Sequence, residues 1–255
     1  MDDPEPRTSD ALTGRFDVWQ LKGGHRYSLD DVLTAREALR AAPSAQRVLD
    51  LGCGIGSVLL MEADHLDSAR LVGVEAQAIS FALARENVAR NGQSDRVTLI
   101  HGDLREPAIQ AAAGGPFDLI SGTPPYMPPG TSTPSPHPQR AHARVELRGG
   151  VEDYLAAMAP LLAPAGRAVV CCDARRPERA LDGGRDAGLR PLRRLDAVPR
   201  AGRDPLFSVF TFGGPEATEF FVHAEPFVAR DGDGERTEAY VDLRLFFGLP
   251  RRSES

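Results

Sequence analysis

The sequence predicts an α/β fold with a mostly parallel central sheet, helices on both of its faces and an antiparallel edge. Apolar strand-like runs alternate with helical segments between Arg47 and Cys172, which is typical of a parallel sheet. A glycine-rich turn follows the first of these runs. The last apolar runs, over residues 206–212 and 219–223, have no helix between them, so we expect the antiparallel edge there.

Composition places the chain among globular proteins and argues against a membrane protein. Its 255 residues suit one large domain, and 42% are hydrophobic and 26% charged. No run of about 18 uncharged apolar residues is present, and the acidic N-terminus lacks the apolar stretch of a secretory signal. We therefore expect a cytoplasmic location. The net charge of −6 weighs mildly against a substrate held through its phosphates.

Both ends of the chain are expected to lie outside the folded domain. Residues 1–13 are rich in Pro and Asp and have no apolar period, so they predict a disordered leader. The domain is expected over residues 14–249, with a tail at 250–255. Its first part, residues 14–42, combines a hairpin and a helix.

The hairpin and helix are indicated by turn and capping signals. Residues 16–21 roughly alternate in polarity and meet a Gly-Gly turn before Arg26 and Tyr27, which predicts a short hairpin. Ser28, followed by Asp30 and Asp31, is typical of a helix N-cap with acids in the first turn. This helix should end near Arg40.

The alternating region contains strands and helices in regular order. Strands are predicted at 48–51, 71–74, 97–100, 117–120 and 168–172, and helices from the glycine turn to His65, over 77–90 and over 152–162. Residues 124–138 are instead so rich in proline that neither a helix nor a central strand can form. We expect a long loop there that acts as a lid.

Neither the cysteines nor the arginines indicate a specific site on their own. Cys53, Cys171 and Cys172 lack metal-ligand spacing, and neighbouring cysteines on a strand face opposite sides, so we expect reduced thiols and no metal. The run from Arg175 to Arg203 is rich in arginine. It is interpreted either as a phosphate-binding surface or as a solvated helix face, and the second is favoured.

The glycine turn predicts a cofactor site. Asp50 precedes Gly52, Cys53, Gly54 and Gly56, a spacing that differs from the G-x-G-x-x-G of dinucleotide sites. Glycines allow positive φ and bring backbone N–H groups close to a ligand. An acid before them suits a ligand with an ammonium and a sulfonium group instead of phosphates. This favours S-adenosylmethionine over a nicotinamide cofactor.

Two more acids follow later strands. Glu75, followed by Ala76, ends the second strand of the alternating region, where a carboxylate can accept both ribose hydroxyls. Asp103, followed by Leu104, comes after the third strand and is placed to accept from an adenine amino group. Ligands of open α/β sheets bind at the carboxyl ends of the strands, so these acids are expected to meet the glycine turn.

These residues resemble the class I S-adenosylmethionine-dependent methyltransferases, whose fold is Rossmann-like. The loop sequence LDLGCGIGSV is similar to their cofactor loop, and Thr123-Pro124-Pro125-Tyr126 occupies the position of their [Asn/Asp/Ser]-Pro-Pro-[Tyr/Phe] motif. Within that class the chain looks like the tRNA adenine-N6 methyltransferases over residues 16–248.

The resemblance implies a role for each residue of the tetrapeptide. The residue at position 123 and the carbonyl of Pro124 would accept the two N–H groups of the target amine, next to Pro125. Tyr126 would stack on the base, which must leave its own stack. Thr123 departs from the usual Asn, because a hydroxyl is shorter and also donates.

The identity of the methyl acceptor therefore stays open. By resemblance, an adenine amine of tRNA is the first expectation for the partner. A nitrogen of a small molecule or a protein is the alternative within the class. A non-catalytic module that binds the cofactor is the alternative of another class.

Overall fold

A computed structural model describes residues 5–127, 130 and 137–251. The strands are β1 (Arg7–Ala11), β2 (Asp17–Leu21), β3 (Arg47–Leu51), β4 (Arg70–Glu75), β5 (Val97–His101), β6 (Phe117–Gly122), β7 (Leu162–Asp173), β8 (Arg190–Val198), β9 (Phe207–Gly213), β10 (Val222–His223) and β11 (Phe227–Val228). The helices are α1 (Leu29–Ala41), α2 (Ser57–His65), α3 (Ala78–Arg90), α4 (Pro107–Ala113), α5 (Pro138–Arg144), α6 (Val151–Met158), α7 (Pro177–Asp186) and α8 (Glu238–Phe246).

The central sheet has the predicted mixed character. Its strand order is β10-β8-β9-β7-β6-β3-β4-β5, with β11 also paired to β8. The strands from β7 to β5 along this order pair in parallel, and β9 runs antiparallel to both β7 and β8. From β3 the sheet extends to both sides: β4 and β5 lie on one side of it, and β6 and β7 lie on the other. The carboxyl ends of β3 and β6 therefore flank the crevice where ligands of such sheets bind.

The sheet has a hydrophobic layer on each face. Leu33 of α1 and Leu59 of α2 belong to one buried cluster, and Leu155 of α6 belongs to the other. Neighbouring residues of a strand alternate between the two clusters, as Cys171 and Cys172 do. Both cysteines are free and buried, as expected from their positions on one strand.

The prediction of a disordered leader is wrong for the residues that form β1. This strand pairs antiparallel with β2, so the hairpin is built from 7–11 and 17–21 and not from residues after the Gly-Gly turn. The Tyr27 hydroxyl fastens the hairpin by donating to the carbonyl of Ala11 at 2.8 Å. Strand β1 is therefore held by backbone pairing and by such contacts, because its sequence lacks the alternating apolar residues that hold a strand against a core. Residues 1–4 of the expected leader lie outside the described residues.

The arginine-rich run is only in part the solvated helix face that was favoured: it includes α7, whose Arg185 is 74% exposed, but other arginines are paired within the fold. Residues 190–198 are a strand of the sheet, and several guanidinium groups pair with carboxylates of the same chain. Arg179 binds Glu146 and Glu152, with N–O distances of 2.6 and 2.5 Å, and Arg193 binds Glu37 at 2.8 Å. Internal ion pairs therefore use charges that were interpreted as facing solvent or phosphate.

The Pro-rich segment is described only at its two ends. Residues 128, 129 and 131–136 lie outside the described residues, as do 252–255 of the expected tail, so the proposed lid stays a prediction. Pro138 occupies the first turn of α5, where a missing N–H costs no helical hydrogen bond. Within the described ranges, no helix combines the length and the apolarity needed to cross a membrane.

Candidate active site

The glycine turn joins β3 to α2 in a left-handed conformation. Gly52, Gly54 and Gly56 have φ values of +67°, +56° and +86°, which favour glycine strongly. A Cβ at Gly52 would lie 2.1 Å from the hydroxyl oxygen of Tyr154, whereas a Cβ at Gly54 would meet nothing within 4 Å. The turn therefore packs closely against Tyr154 at one glycine and faces open space at another.

That open space is a cavity over the carboxyl ends of β3, β4 and β5, called here the loop cavity. Its lining includes most of the residues expected to bind a cofactor: Gly52, Cys53, Gly54, Glu75, Ala76, Asp103 and Leu104. The sheet topology brings them together from three separate strand ends, as the sequence analysis predicted.

Asp50 and Gly56 stand behind this lining. Gly56 is the N-cap of α2. Asp50 is only 1% exposed, and its Oδ1 accepts a hydrogen bond of 3.4 Å from Ser121 on the neighbouring strand. Its Oδ2 has no hydrogen-bond partner among the described residues. Because side chains alternate along a strand, Asp50 supports the turn from below and does not face the cavity.

The other two predicted acids have defined partners. Glu75 accepts the backbone N–H of Gly54 at 2.9 Å and that of Gln77 at 2.6 Å, so it ties the glycine turn to the start of α3. Asp103 is held by the guanidinium of Arg105, with N–O distances of 2.9 and 2.6 Å. The carboxylate expected to accept from an adenine amino group is therefore already paired at the rim of the cavity.

A second cavity, called here the tyrosine cavity, opens beside the first. Pro124 and Tyr126 line it, together with Asp30, whose Oδ2 accepts from the Tyr126 hydroxyl at 3.3 Å. The two cavities share a wall. The residues that line both are His25, Asp31, Thr123, Pro125 and Ala143. Two residues of the predicted tetrapeptide, Thr123 and Pro125, thus lie where one cavity meets the other.

Sequence reasoning missed several residues of this region. The loop cavity is also lined by Gln139 of α5, Tyr154 of α6 and Arg148 of the segment between these helices. Gln139 is 1% exposed; it accepts the backbone N–H of His25 at 3.1 Å and donates to Ser80 at 3.1 Å. No motif identifies these residues, because they reach the cavity only through tertiary packing.

The two histidines near the Pro-rich segment differ in position. His142 lines the loop cavity, where burial lowers its pKa and favours the neutral ring. The Nε2 of His137 lies 2.8 Å from a carboxylate oxygen of Glu5. This contact joins the start of the described N-terminal segment to the start of α5.

Burial dominates the electrostatics of the site. It raises the pKa values of Glu75 and, more strongly, of Asp50. Burial, assisted by the charge of Asp30, raises the pKa of Asp31 to about 7. Carboxyl groups in such surroundings gain from a cationic ligand, which favours their ionised form. The acidic lining, which includes Glu75 and Asp31, therefore fits a sulfonium and an ammonium group better than a diphosphate.

The residues that the structure describes show no cluster suited to a metal. Nowhere in these ranges do three or more His, Cys, Asp or Glu side chains come together in a group that could hold one.

Comparisons with known proteins agree with this geometry. Residues 48–127 match the family described as a methyltransferase domain. A tRNA1(Val) (adenine(37)-N6)-methyltransferase from Aeromonas hydrophila is 31% identical over 81% of this chain and 84% of its own length. An enzyme of the same name from Porphyromonas gingivalis is 34% identical over 156 residues, and the chain spans 60% of that relative's length.

A solved structure supports the fold independently. A predicted O-methyltransferase from Agrobacterium tumefaciens superposes with a TM-score of 0.66 over 89% of this chain and all of its own. The sequence identity is 18%, so this likeness concerns the fold alone. The Rossmann-like class I methyltransferase architecture expected from the sequence is confirmed.

Proposed function

Because the chain belongs to the family of tRNA1(Val) (adenine(37)-N6)-methyltransferases, we propose that it methylates the exocyclic amine of an adenine in tRNA with S-adenosylmethionine. One observation carries the proposal. The loop cavity and the tyrosine cavity meet at Thr123 and Pro125, so a donor in one and an acceptor in the other share a wall.

The loop cavity supplies the groups that would hold the cofactor. The glycine turn offers backbone N–H groups, and Glu75 and Asp103 offer carboxylates at neighbouring strand ends. S-adenosylmethionine supplies an electrophilic methyl group: the nitrogen lone pair forms the new N–C bond, the C–S bond breaks, and its electron pair leaves with sulfur. The protein's contribution is to position the amine and to accept its hydrogen bonds.

The tyrosine cavity has the groups that a flipped base requires. The ring of Tyr126 offers a stacking surface, and its hydroxyl is anchored to Asp30. Pro124 lines the same cavity and has a backbone carbonyl that can accept one N–H of an amine. A base that enters here must leave its stack, which is easiest in a single-stranded loop of RNA.

Basic residues around the tyrosine cavity support an RNA substrate. Arg140 and Arg144 line this cavity, and Arg148 lines the neighbouring one. Arg26 also lines it but is paired with Asp10 at 2.9 Å. Arginine is well suited to phosphate contacts, so this local cluster answers the objection raised by the overall charge of −6. A phosphate backbone that crosses the cavity mouth would meet positive charge.

The proposal is tested with purified protein, methyl-labelled cofactor and tRNA. We expect transfer to tRNA and mass-spectrometric detection of one N6-methyladenosine, which should also be missing from tRNA of cells that lack the gene. Transfer to a peptide or a metabolite instead of tRNA would contradict the proposed substrate. Cofactor binding without transfer to any of these acceptors would contradict the proposed activity.

The cofactor site is tested separately. Glu75→Ala should weaken S-adenosylmethionine binding about 10- to 100-fold, since hydrogen bonds to a charged group contribute about 1.5–3 kcal/mol. Glu86→Ala is the matched control, because Glu86 is 47% exposed and pairs with Arg7 away from the cavity. Isothermal titration and a thermal melt separate lost binding from lost folding. Equal affinity of the two variants would contradict the assigned site.

A further inference from the structure

The wall between the two cavities contains a carboxyl group that the sequence motif does not include. Asp31 is the third residue of α1 and is 7% exposed, yet it lines both the loop cavity and the tyrosine cavity. Buried carboxyl groups are costly unless their oxygens find donors. Its position suggests a use beyond the capping of a helix.

Asp31 already has a partner on each oxygen. Its Oδ2 accepts the backbone N–H of Ser28 at 2.9 Å, which fixes the side chain at the start of α1. Its Oδ1 accepts a hydrogen bond of 3.3 Å from the hydroxyl of Thr123. The side chain of Ser57 is a further hydrogen-bond partner of Asp31. A carboxylate has about four lone-pair sites, so one remains available after these three bonds. The carboxylate is therefore held in place with acceptor capacity to spare.

Thr123 by itself is a poor partner for an amine. Its hydroxyl proton is directed to Asp31. Its side chain is one atom shorter than the Asn that usually occupies this position of the motif that the tetrapeptide resembles. An amine donates two N–H groups, and the carbonyl of Pro124 accepts only one of them in that arrangement. A second acceptor is needed near Thr123.

We propose that Asp31 supplies this second acceptor, binding one N–H of the substrate amine and taking its proton when the nitrogen is methylated. The inference rests on the proposed function for the identity of the amine. The amine starts as NH₂, forms one bond to the methyl carbon and gives up one proton, so the product is a neutral N-methyl amine and a protonated Asp31. Thr123 then orients the carboxylate through its hydroxyl.

The surroundings of Asp31 suit a proton acceptor at neutral pH. The titratable groups that face it from the packed elements are Asp30, Asp50, Tyr126, Cys171 and His25. Burial and the acids among them raise its pKa to about 7, close to the value at which a base is most effective near neutrality. The same burial raises the pKa of Tyr126, so that phenol stays protonated.

The decisive variant is Asp31→Asn. The Asn carbonyl can still accept from Ser28, which preserves the cap, but its NH₂ group then points a donor at the amine. We expect single-turnover transfer to tRNA to fall at least about 100-fold, the usual scale for losing a general base. Affinity for S-adenosylhomocysteine, which lacks the sulfonium charge, should stay within about threefold of the parent value when measured by titration. Full transfer by this variant would overturn the proposal.

The pH profile distinguishes a proton acceptor from a structural residue. The parent's transfer rate should rise with pH through a step near the pKa of Asp31, and Asp31→Asn should lose that step. Asp182→Asn is the control, because Asp182 is 58% exposed and pairs with Arg185 away from both cavities, so this variant should keep the step. A step that persists in Asp31→Asn would overturn the assignment.

A binding measurement keeps the inference separate from the proposed substrate. Protein saturated with S-adenosylhomocysteine is titrated with adenosine and with purine riboside, which lacks the amine. We expect the parent to prefer adenosine about tenfold or more, the scale of a hydrogen bond to a charged group, and Asp31→Asn to lose the preference. Equal affinity of the parent protein for adenosine and for purine riboside would by itself overturn the inference. Absent transfer to tRNA overturns the proposed function alone.

Discussion

Substitution of Gly52 by alanine should destabilise the protein through one identifiable contact. The residue has a φ of +67°, so any L-side chain there costs about 1–2 kcal/mol in backbone strain. Its Cβ would also lie 2.1 Å from the Tyr154 hydroxyl oxygen and 3.0 Å from the carbon that bears it. Such overpacking adds about 1–3 kcal/mol.

Gly54→Ala provides the matched control for this prediction. Gly54 has a similar φ of +56°, but nothing lies within 4 Å of its Cβ. The strain is therefore common to both variants, and the difference of about 1–3 kcal/mol isolates the clash with Tyr154. Gly54→Ala should instead reduce cofactor affinity, because its methyl group enters the loop cavity.

Thermal and urea unfolding measure the predicted difference. For a chain of this size, about 1 kcal/mol shifts the Tm by about 2–4 °C, so the Gly52→Ala protein should melt clearly below the Gly54→Ala protein. Tyr154→Phe removes the nearest clashing atom and should recover part of the loss when combined with Gly52→Ala. Equal Tm values for the two glycine variants, or no recovery, would refute the reasoning.

Three further variants test other contacts. Arg179→Ala should lower the free energy of unfolding, measured in urea, by about 1–3 kcal/mol, because Glu146 and Glu152 lose their shared partner. The exposed control Arg185→Ala should lower it by under about 0.5 kcal/mol. Equal losses in the two variants would contradict this prediction. Burial raises the pKa of Glu62 in the folded state, so the free energy of unfolding should fall as the pH rises above the usual pKa range of a glutamate. Glu62→Gln should flatten that fall. An unchanged pH dependence in this variant would disprove the reasoning. Tyr126→Ala should lower kcat/KM for tRNA about 10- to 100-fold with unchanged cofactor affinity, the scale of one base–aromatic stack; loss of cofactor binding would speak against it.

The parallel part of the fold was predictable because its signals are local. The runs that became β3, β4, β5 and β6 are apolar and are bounded by turns, and the glycine spacing after β3 marks the ligand end of the sheet. Strand β1 was not predictable in this way. Its sequence is polar and its residues are exposed or half-exposed, so only pairing with β2 defines it.

Long-range partners explain the other differences. Strand β8 contains Arg193, which looks solvated until the fold places Glu37, 156 positions away in the sequence, beside it. Asp31 appears in the sequence as a capping acid, and it does cap α1. Its second contact, with Thr123, joins residues that are 92 positions apart and has no sequence signal.

The shared wall of the two cavities has a consequence for inhibitor design. Only a few side chains, among them Thr123 and Pro125, separate the chambers. A single molecule that joins an adenosyl amino acid to a nucleobase through a short tether would fill both at once. Its second half would then bind at a high effective concentration, so its affinity should exceed that of either fragment by orders of magnitude.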